Sequence, residues 1–75
     1  CIVNSMALVE HDVTIQDHCH LATRATVNGN VLVESKTFVG SGAVLREGIC
    51  IGTGSVVGAG TTVLRDLPAH SVYMS

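Results

Sequence analysis

The side chains best suited to proton transfer near neutral pH in this 75-residue chain are four histidines, His11, His18, His20 and His70. Only His11 is followed directly by a carboxylate, Asp12. A neutral imidazole can take the proton from an amine or hydroxyl as it attacks an electrophile. An adjacent carboxylate can hold that imidazole in orientation and raise its basicity. His11 and Asp12 are therefore the candidate catalytic pair, and His20, nine positions on, is a further candidate. Metal binding is the competing use of histidine, and zinc or redox chemistry that of cysteine. Cys1, Cys19 and Cys50 are odd in number and include no CxxC pair, which supports neither a zinc knuckle nor a thioredoxin-type site. They read as small apolar residues in a reducing cytosol. No metal is expected. His18 and His70 read as solvated surface side chains.

The elements that position these residues must be built from an unusual composition. Hydrophobic residues make up 47% of the chain, and nearly all are aliphatic, since Trp is absent and Phe and Tyr occur once each. Gly occurs 8 times. Only 13% of residues are charged, so the chain is too apolar and too weakly charged to be disordered. A formal net charge of -2 offers no basic field for nucleic acid. The longest aliphatic stretch, Met6 to Val9, is far short of the roughly 20 residues that span a bilayer. The first residues carry neither positive charge nor a continuous apolar block, so no signal peptide is read there. A cytoplasmic protein with no nucleic-acid or membrane partner is expected.

One pattern accounts for the composition. Every sixth residue from Val3 is aliphatic: Val3, Val9, Ile15, Leu21, Val27, Val33, Val39, Leu45, Ile51, Val57 and Val63. The residues two before each are small or β-branched and uncharged, from Cys1 and Ala7 to Ser55 and Thr61. Alternation along a strand turns both positions to the same side. The three residues that follow are rich in Gly, Asn, Asp and Ser, which tolerate turns. Short strands joined by corners, six residues to a side, close into triangular coils of about 18 residues stacked as parallel strands. About four coils fit, as a single β-helix domain over residues 1–75.

The runs Val39-Gly40-Ser41-Gly42-Ala43-Val44, Ile51-Gly52-Thr53-Gly54-Ser55-Val56 and Val57-Gly58-Ala59-Gly60-Thr61-Thr62 resemble the hexapeptide repeat of acyltransferases with a left-handed parallel β-helix. The left hand is what the resemblance implies. Steric preference alone favours right-handed crossovers.

Positions three repeats apart stack directly, so Gly29 falls on the coil next to His11, at the same corner. His20 lies half a coil from His11, on the opposite side of the prism. Two prisms packed side by side can bring such residues to one substrate, which makes an intersubunit site the natural geometry. A core of eleven aliphatic side chains leaves an isolated monomer precarious, and both open ends expose strand edges. An oligomer is expected.

The segment from Val9 to His20, with Asn28-Gly29-Asn30 beyond it, sharpens the resemblance. It is similar to the sialic-acid O-acetyltransferase and bacillosamine N-acetyltransferase group of nucleotide-sugar acyltransferases. That group carries a His followed by an acid, a second His nine positions on, and an Asn/Ala-Gly-Asn stretch one coil away. The resemblance implies acetyl transfer from acetyl-CoA to an amino or hydroxyl group of a nucleotide-linked sugar, in a homotrimer. His11 would be the general base and Asp12 its orienting partner. Gly29 would offer a backbone N–H to the tetrahedral intermediate. His20 would contact acetyl-CoA near its thioester, and Ser41 and Ala59 would line the path of its pantetheine arm.

The chain departs from the group in three places. Arg24 stands where members commonly have Gly, and the chain stops at Tyr73-Met74-Ser75 without the group's Gly-x-Pro-Ala-basic ending. The Rossmann-like domain that holds the nucleotide sugar has no counterpart here either. A fragment lacking that N-terminal domain is therefore expected.

Three other readings compete. A β-helical metal enzyme resembling the γ-class carbonic anhydrases needs two His five residues apart. His11, His18 and His20 are separated by 7 and 2, and no pair lies one full coil apart. An ice-binding prism needs a Thr ladder, but Thr14 is followed on successive coils by Leu32 and then Cys50. A non-catalytic assembly module is the main alternative.

Overall fold

Among the described residues every strand is two residues long, because the chain must turn a corner every six residues. A computed structural model describes residues 2–4 and 6–74; Cys1, the first small inward residue of the repeat, lies outside them. Twelve strands follow in order: β1 (Ile2–Val3), β2 (Leu8–Val9), β3 (Thr14–Ile15), β4 (His20–Leu21), β5 (Thr26–Val27) and β6 (Leu32–Val33), then β7 (Phe38–Val39), β8 (Val44–Leu45), β9 (Cys50–Ile51), β10 (Val56–Val57), β11 (Thr62–Val63) and β12 (Val72–Tyr73). They form three parallel sheets, β1-β4-β7-β10-β12, β2-β5-β8-β11 and β3-β6-β9. Strand partners through β11 lie three repeats apart, as in Ile2 with His20 and Thr26 with Val44. The molecule is a left-handed parallel β-helix of about four coils.

The six-residue ladder is the core. From Leu21 to Val63 its members are all fully buried. Val3 and Val9 are exposed and Ile15 is half-buried, because the first coil closes the prism on one side only. The companion positions Cys19, Ala25, Val31, Thr37, Ala43, Ile49, Ser55 and Thr61 are buried too. Their polar atoms are bonded, as burial requires. Thr37 Oγ1 donates to Gly52 O at 3.2 Å, Ser55 Oγ to Pro68 O at 3.1 Å, and Cys19 Sγ to Glu34 O at 3.0 Å.

The corners show what each glycine is for. Left-handed backbone recurs every sixth residue, at Met6, Asp12, His18, Arg24, Asn30, Lys36, Gly42, Gly48, Gly54 and Gly60, with φ between 58° and 78°. The first six of that series are not glycine, and they accept a conformation that costs an L-residue roughly 1–2 kcal/mol. Arg24 at φ 62° thus fills a corner that suits glycine, and nothing in the structure explains the arginine there. Gly40 is different. It lacks a left-handed φ, but a Cβ there would lie 2.6 Å from Ala59 N on the next coil. Gly40→Ala is expected to prise those coils apart and cost about 1–3 kcal/mol, the usual range for overpacking. Chemical denaturation checks this, and an unchanged midpoint would show that the coils are not in such close contact.

The last coil breaks the period. Ile51 bridges to Leu67 and Val56 pairs with Val72, so this coil is two residues shorter than the others. In earlier coils a strand-entry N–H bonds a backbone carbonyl on the next coil, as Leu32 N does to Ile49 O at 3.0 Å. At Cys50 the N–H instead finds the Asp66 carboxylate, with Oδ1 at 2.8 Å. A side chain replaces the acceptor that the shortened corner removes.

Candidate functional site

The corner between the β2 and β3 sheets carries the clearest constellation. Its coils contribute Glu10-His11-Asp12, then Asn28-Gly29-Asn30, then Arg46-Glu47-Gly48. The coils are tied by Asn30 N to His11 O at 3.2 Å and Gly48 N to Gly29 O at 3.0 Å. The Asn28 side chain is used structurally, with Nδ2 donating to Leu45 O at 2.9 Å. Left-handed φ at Asp12 turns its carboxylate back to the preceding imidazole. Asp12 Oδ2 lies 3.1 Å from His11 Nδ1. A carboxylate can only accept, so Nδ1 carries a proton, and in the neutral ring Nε2 then keeps a free lone pair. Both side chains are about three-quarters exposed (75% and 74%), so solvent screens the pair and its value is orientation more than stability.

That imidazole lies over Gly29. A Cβ at Gly29 would sit 3.1 Å from His11 Cε1 and 3.3 Å from Nε2, closer than the ring can tolerate without moving. The missing side chain therefore lets Nε2 stand against open backbone. A groove of about 390 Å³ runs along this corner, lined by Glu10, His11, Asn28, Gly29, Arg46 and Glu47. Its wall mixes two carboxylates with one guanidinium. Such a surface can take a polar, hydrogen-bonding ligand beside a base.

The other expected site residues lie elsewhere in the chain. His20 is on the outer face of β4, in the sheet opposite the His11 corner, and is half-buried. Its ring centroid is 5.2 Å from that of Phe38, at 45°, and its Nε2 accepts from Asn4 Nδ2 at 3.0 Å. Ser41 and Ala59 stack at the corner between the β7 and β8 sheets, exposed, with Gly60 N bonded to Ser41 O at 2.9 Å. Arg24 occupies the same corner one coil below. One chain thus joins His11, Asp12 and Gly29, and holds His20 and the Ser41–Ala59 column apart from them.

Glu10, Arg46 and Glu47 are site residues that no motif marks, whereas Asn28 lies in the Asn-Gly-Asn stretch. The column from Glu10 through Asn28 to Arg46 is nevertheless countable, since it follows the same stacking as His11 and Gly29. Asn4 leaves no such signal. It belongs to no column with His20 and reaches that ring diagonally across two strands.

The remaining titratable groups are accounted for structurally. His18 and His70 are exposed, and the His70 ring packs over Gly54. Cys50 is half-buried, and burial followed by the Glu34 and Asp66 carboxylates pushes its thiol above the ordinary range, away from nucleophilic use. Among the described residues no three His, Cys, Asp or Glu side chains gather in a metal-binding group. No helix among them is long and apolar enough to cross a membrane.

Comparison with known proteins adds the following. Residues 30–65 match the family model described as bacterial transferase hexapeptide (six repeats). Over 61 residues the chain is 40% identical to 2,3,4,5-tetrahydropyridine-2,6-dicarboxylate N-acetyltransferase of Clostridium perfringens, covering 71% of this chain and 26% of that protein. Over 64 residues it is 31% identical to a UDP-N-acetylglucosamine O-acyltransferase of Nautilia profundicola, covering 85% of this chain and 25% of that protein. A crystal structure of a His-to-Asn variant of perosamine N-acetyltransferase from Caulobacter crescentus, in complex with CoA and GDP-perosamine, superposes with a TM-score of 0.95. That likeness is at 36% identity and covers 96% of this chain and 34% of the other. The chain therefore spans about a quarter of these relatives (26% and 25%) and a third of the crystallised neighbour (34%).

Proposed function

We propose that this chain, whose residues 30–65 match the bacterial transferase hexapeptide family model, is the β-helical part of an acetyltransferase acting on a nucleotide-linked amino sugar. Acetyl-CoA is the donor. The sugar's amine attacks the thioester carbonyl carbon, a C–N bond forms, and the C–S bond then breaks to release CoA. The amine's proton passes to His11 Nε2. Asp12 holds the imidazole with Nδ1 protonated, and the Gly29 backbone beneath it offers an N–H to the developing oxyanion. His20 contacts acetyl-CoA near the thioester, and Ser41 and Ala59 flank the pantetheine arm.

One observation carries this reading. The His11 Nε2 lone pair is left free by the Asp12 contact and faces a groove floored by glycine. The crystallised neighbour, which binds CoA and GDP-perosamine, supports the choice of donor and acceptor class. Because His11 and His20 lie on opposite sides of one prism, the complete site takes His11 from one copy and His20 from another, in a homotrimer. The nucleotide is held by a further domain, N-terminal to this chain, in a cytoplasmic protein.

Acetyl transfer by the full-length protein to a panel of nucleotide-linked amino sugars is the test. Transfer to at least one is expected. None at any concentration would overturn the proposal and favour a non-catalytic assembly module. Within the same assay, His20→Ala is expected to raise the KM for acetyl-CoA about three- to tenfold, the worth of one neutral hydrogen bond. The accompanying loss in kcat should be smaller. A fall in kcat alone would move His20 from the cofactor to the chemistry.

A further inference from the structure

His20 is held from both sides along the stack. Register pairs it with Ile2 on one coil and Phe38 on the next. The Phe38 ring bounds it from one side, at 5.2 Å and 45°. From the other comes Asn4, whose backbone N–H is itself anchored to Leu21 O at 2.9 Å. Asn4 Nδ2 lies 3.0 Å from His20 Nε2. An amide NH2 can only donate, so Nε2 must be the acceptor. A neutral ring that accepts through Nε2 carries its proton on Nδ1. An imidazolium has no acceptor to offer, so the contact stands only with the neutral ring.

We propose that Asn4 is a positioning residue for His20, fixing it as the Nδ1–H tautomer so that it meets the acyl donor as a neutral hydrogen-bond donor to a carbonyl oxygen. This rests on the reading of His20 as an acetyl-CoA contact. The chemistry of the partner follows from the tautomer. A neutral N–H suits the lone pairs of a thioester or amide carbonyl, whereas a phosphate is better matched by a cation. The mirror-image arrangement, with a carboxylate at position 4, would put a proton on Nε2 and leave Nδ1 without its donor or with a full charge.

The test uses full-length protein labelled with ¹⁵N in its histidines, in which protonated and bare ring nitrogens resonate far apart. Wild type is expected to show His20 protonated on Nδ1 and bare on Nε2. Asn4→Asp, which can only accept, should place a proton on Nε2, and Asn4→Ala should remove the preference. Calorimetric titration with acetyl-CoA should give affinities weakened about three- to tenfold in both variants. CoA itself, which lacks the acetyl carbonyl, should lose less. A wild-type ring protonated on Nε2 overturns the inference. So do Asn4 variants that bind acetyl-CoA like wild type while His20→Ala binds it weakly, and that pattern leaves the His20 contact itself intact. His20→Ala binding acetyl-CoA like wild type instead removes the contact, and the role of Asn4 falls with it.

Discussion

Replacing His11 by Ala in the full-length protein is expected to lower kcat for acetyl transfer by roughly 10² to 10⁴, the usual worth of a positioned general base. Affinity for acetyl-CoA should hardly change. The reason is local: the imidazole meets the acceptor's proton through Nε2, and its side-chain partner is Asp12. Folding should survive, since the side chain is three-quarters exposed and its removal opens space above Gly29 without burying a polar group. Asp12→Asn should fall between wild type and His11→Ala, because an amide oxygen can still accept from Nδ1–H but brings no charge to the forming imidazolium. Steady-state kinetics on a nucleotide-linked amino sugar reads both. If His11→Ala matches wild type in kcat, the general-base assignment is wrong. Mixed oligomers give a sharper reading. His11→Ala and His20→Ala chains each lack one residue of the site, so co-assembly should restore intact sites where a His11 from one chain meets a His20 from the other. Measured as kcat/KM for acetyl-CoA, no gain over the average of the two homogeneous variants would place both histidines in one chain's site, against the geometry of the prism.

The parts of this architecture legible in the sequence are those that repeat. A ladder from Val3 to Val63 without a gap can only be buried by a coil with a six-residue side, and that fixes which residues stack. The His11–Gly29 juxtaposition follows from the same arithmetic, as does the separation of His11 from His20. The parts that stay hidden are those that break the repeat. The shortened last coil depends on Leu67 taking an inward place two residues early and on Asp66 supplying a side-chain acceptor, neither of which a period-six count contains. The corners are misleading in a more instructive way. Composition suggests that glycine marks left-handed backbone, but Met6, Arg24 and Lys36 adopt it as well, while Gly40 and Gly52 do not and serve the close approach of coils. Coil closure dictates φ at each corner regardless of the residue found there. The hand of the helix is not derivable from sterics at all, and in the sequence it is legible only through the resemblance.

Ile51→Asp is expected to abolish folding. Ile51 is fully buried in β9, paired with Val33 on one coil and bridged to Leu67 on the next. Truncating a buried Ile costs about 2–5 kcal/mol through lost transfer energy and the cavity left behind. The carboxylate adds a larger penalty, since the interior around position 51 is aliphatic and offers the charge no donor. Together these exceed what a small domain can lose from a total of about 5–15 kcal/mol. The adjacent face makes the control. Thr62 points outward on β11 while its neighbour Val63 is fully buried, so Thr62→Asp places the same charge in water. Ile51→Val keeps the ladder and should cost only about 0.5–1.5 kcal/mol. Thermal melts followed by circular dichroism should therefore show no cooperative transition for Ile51→Asp, and folded proteins for the other two. A cooperative melt at the wild-type Tm for Ile51→Asp would mean that position 51 does not face the core. Side chains alternate between faces along a strand, so such a result would turn every second residue of the six-residue register outward.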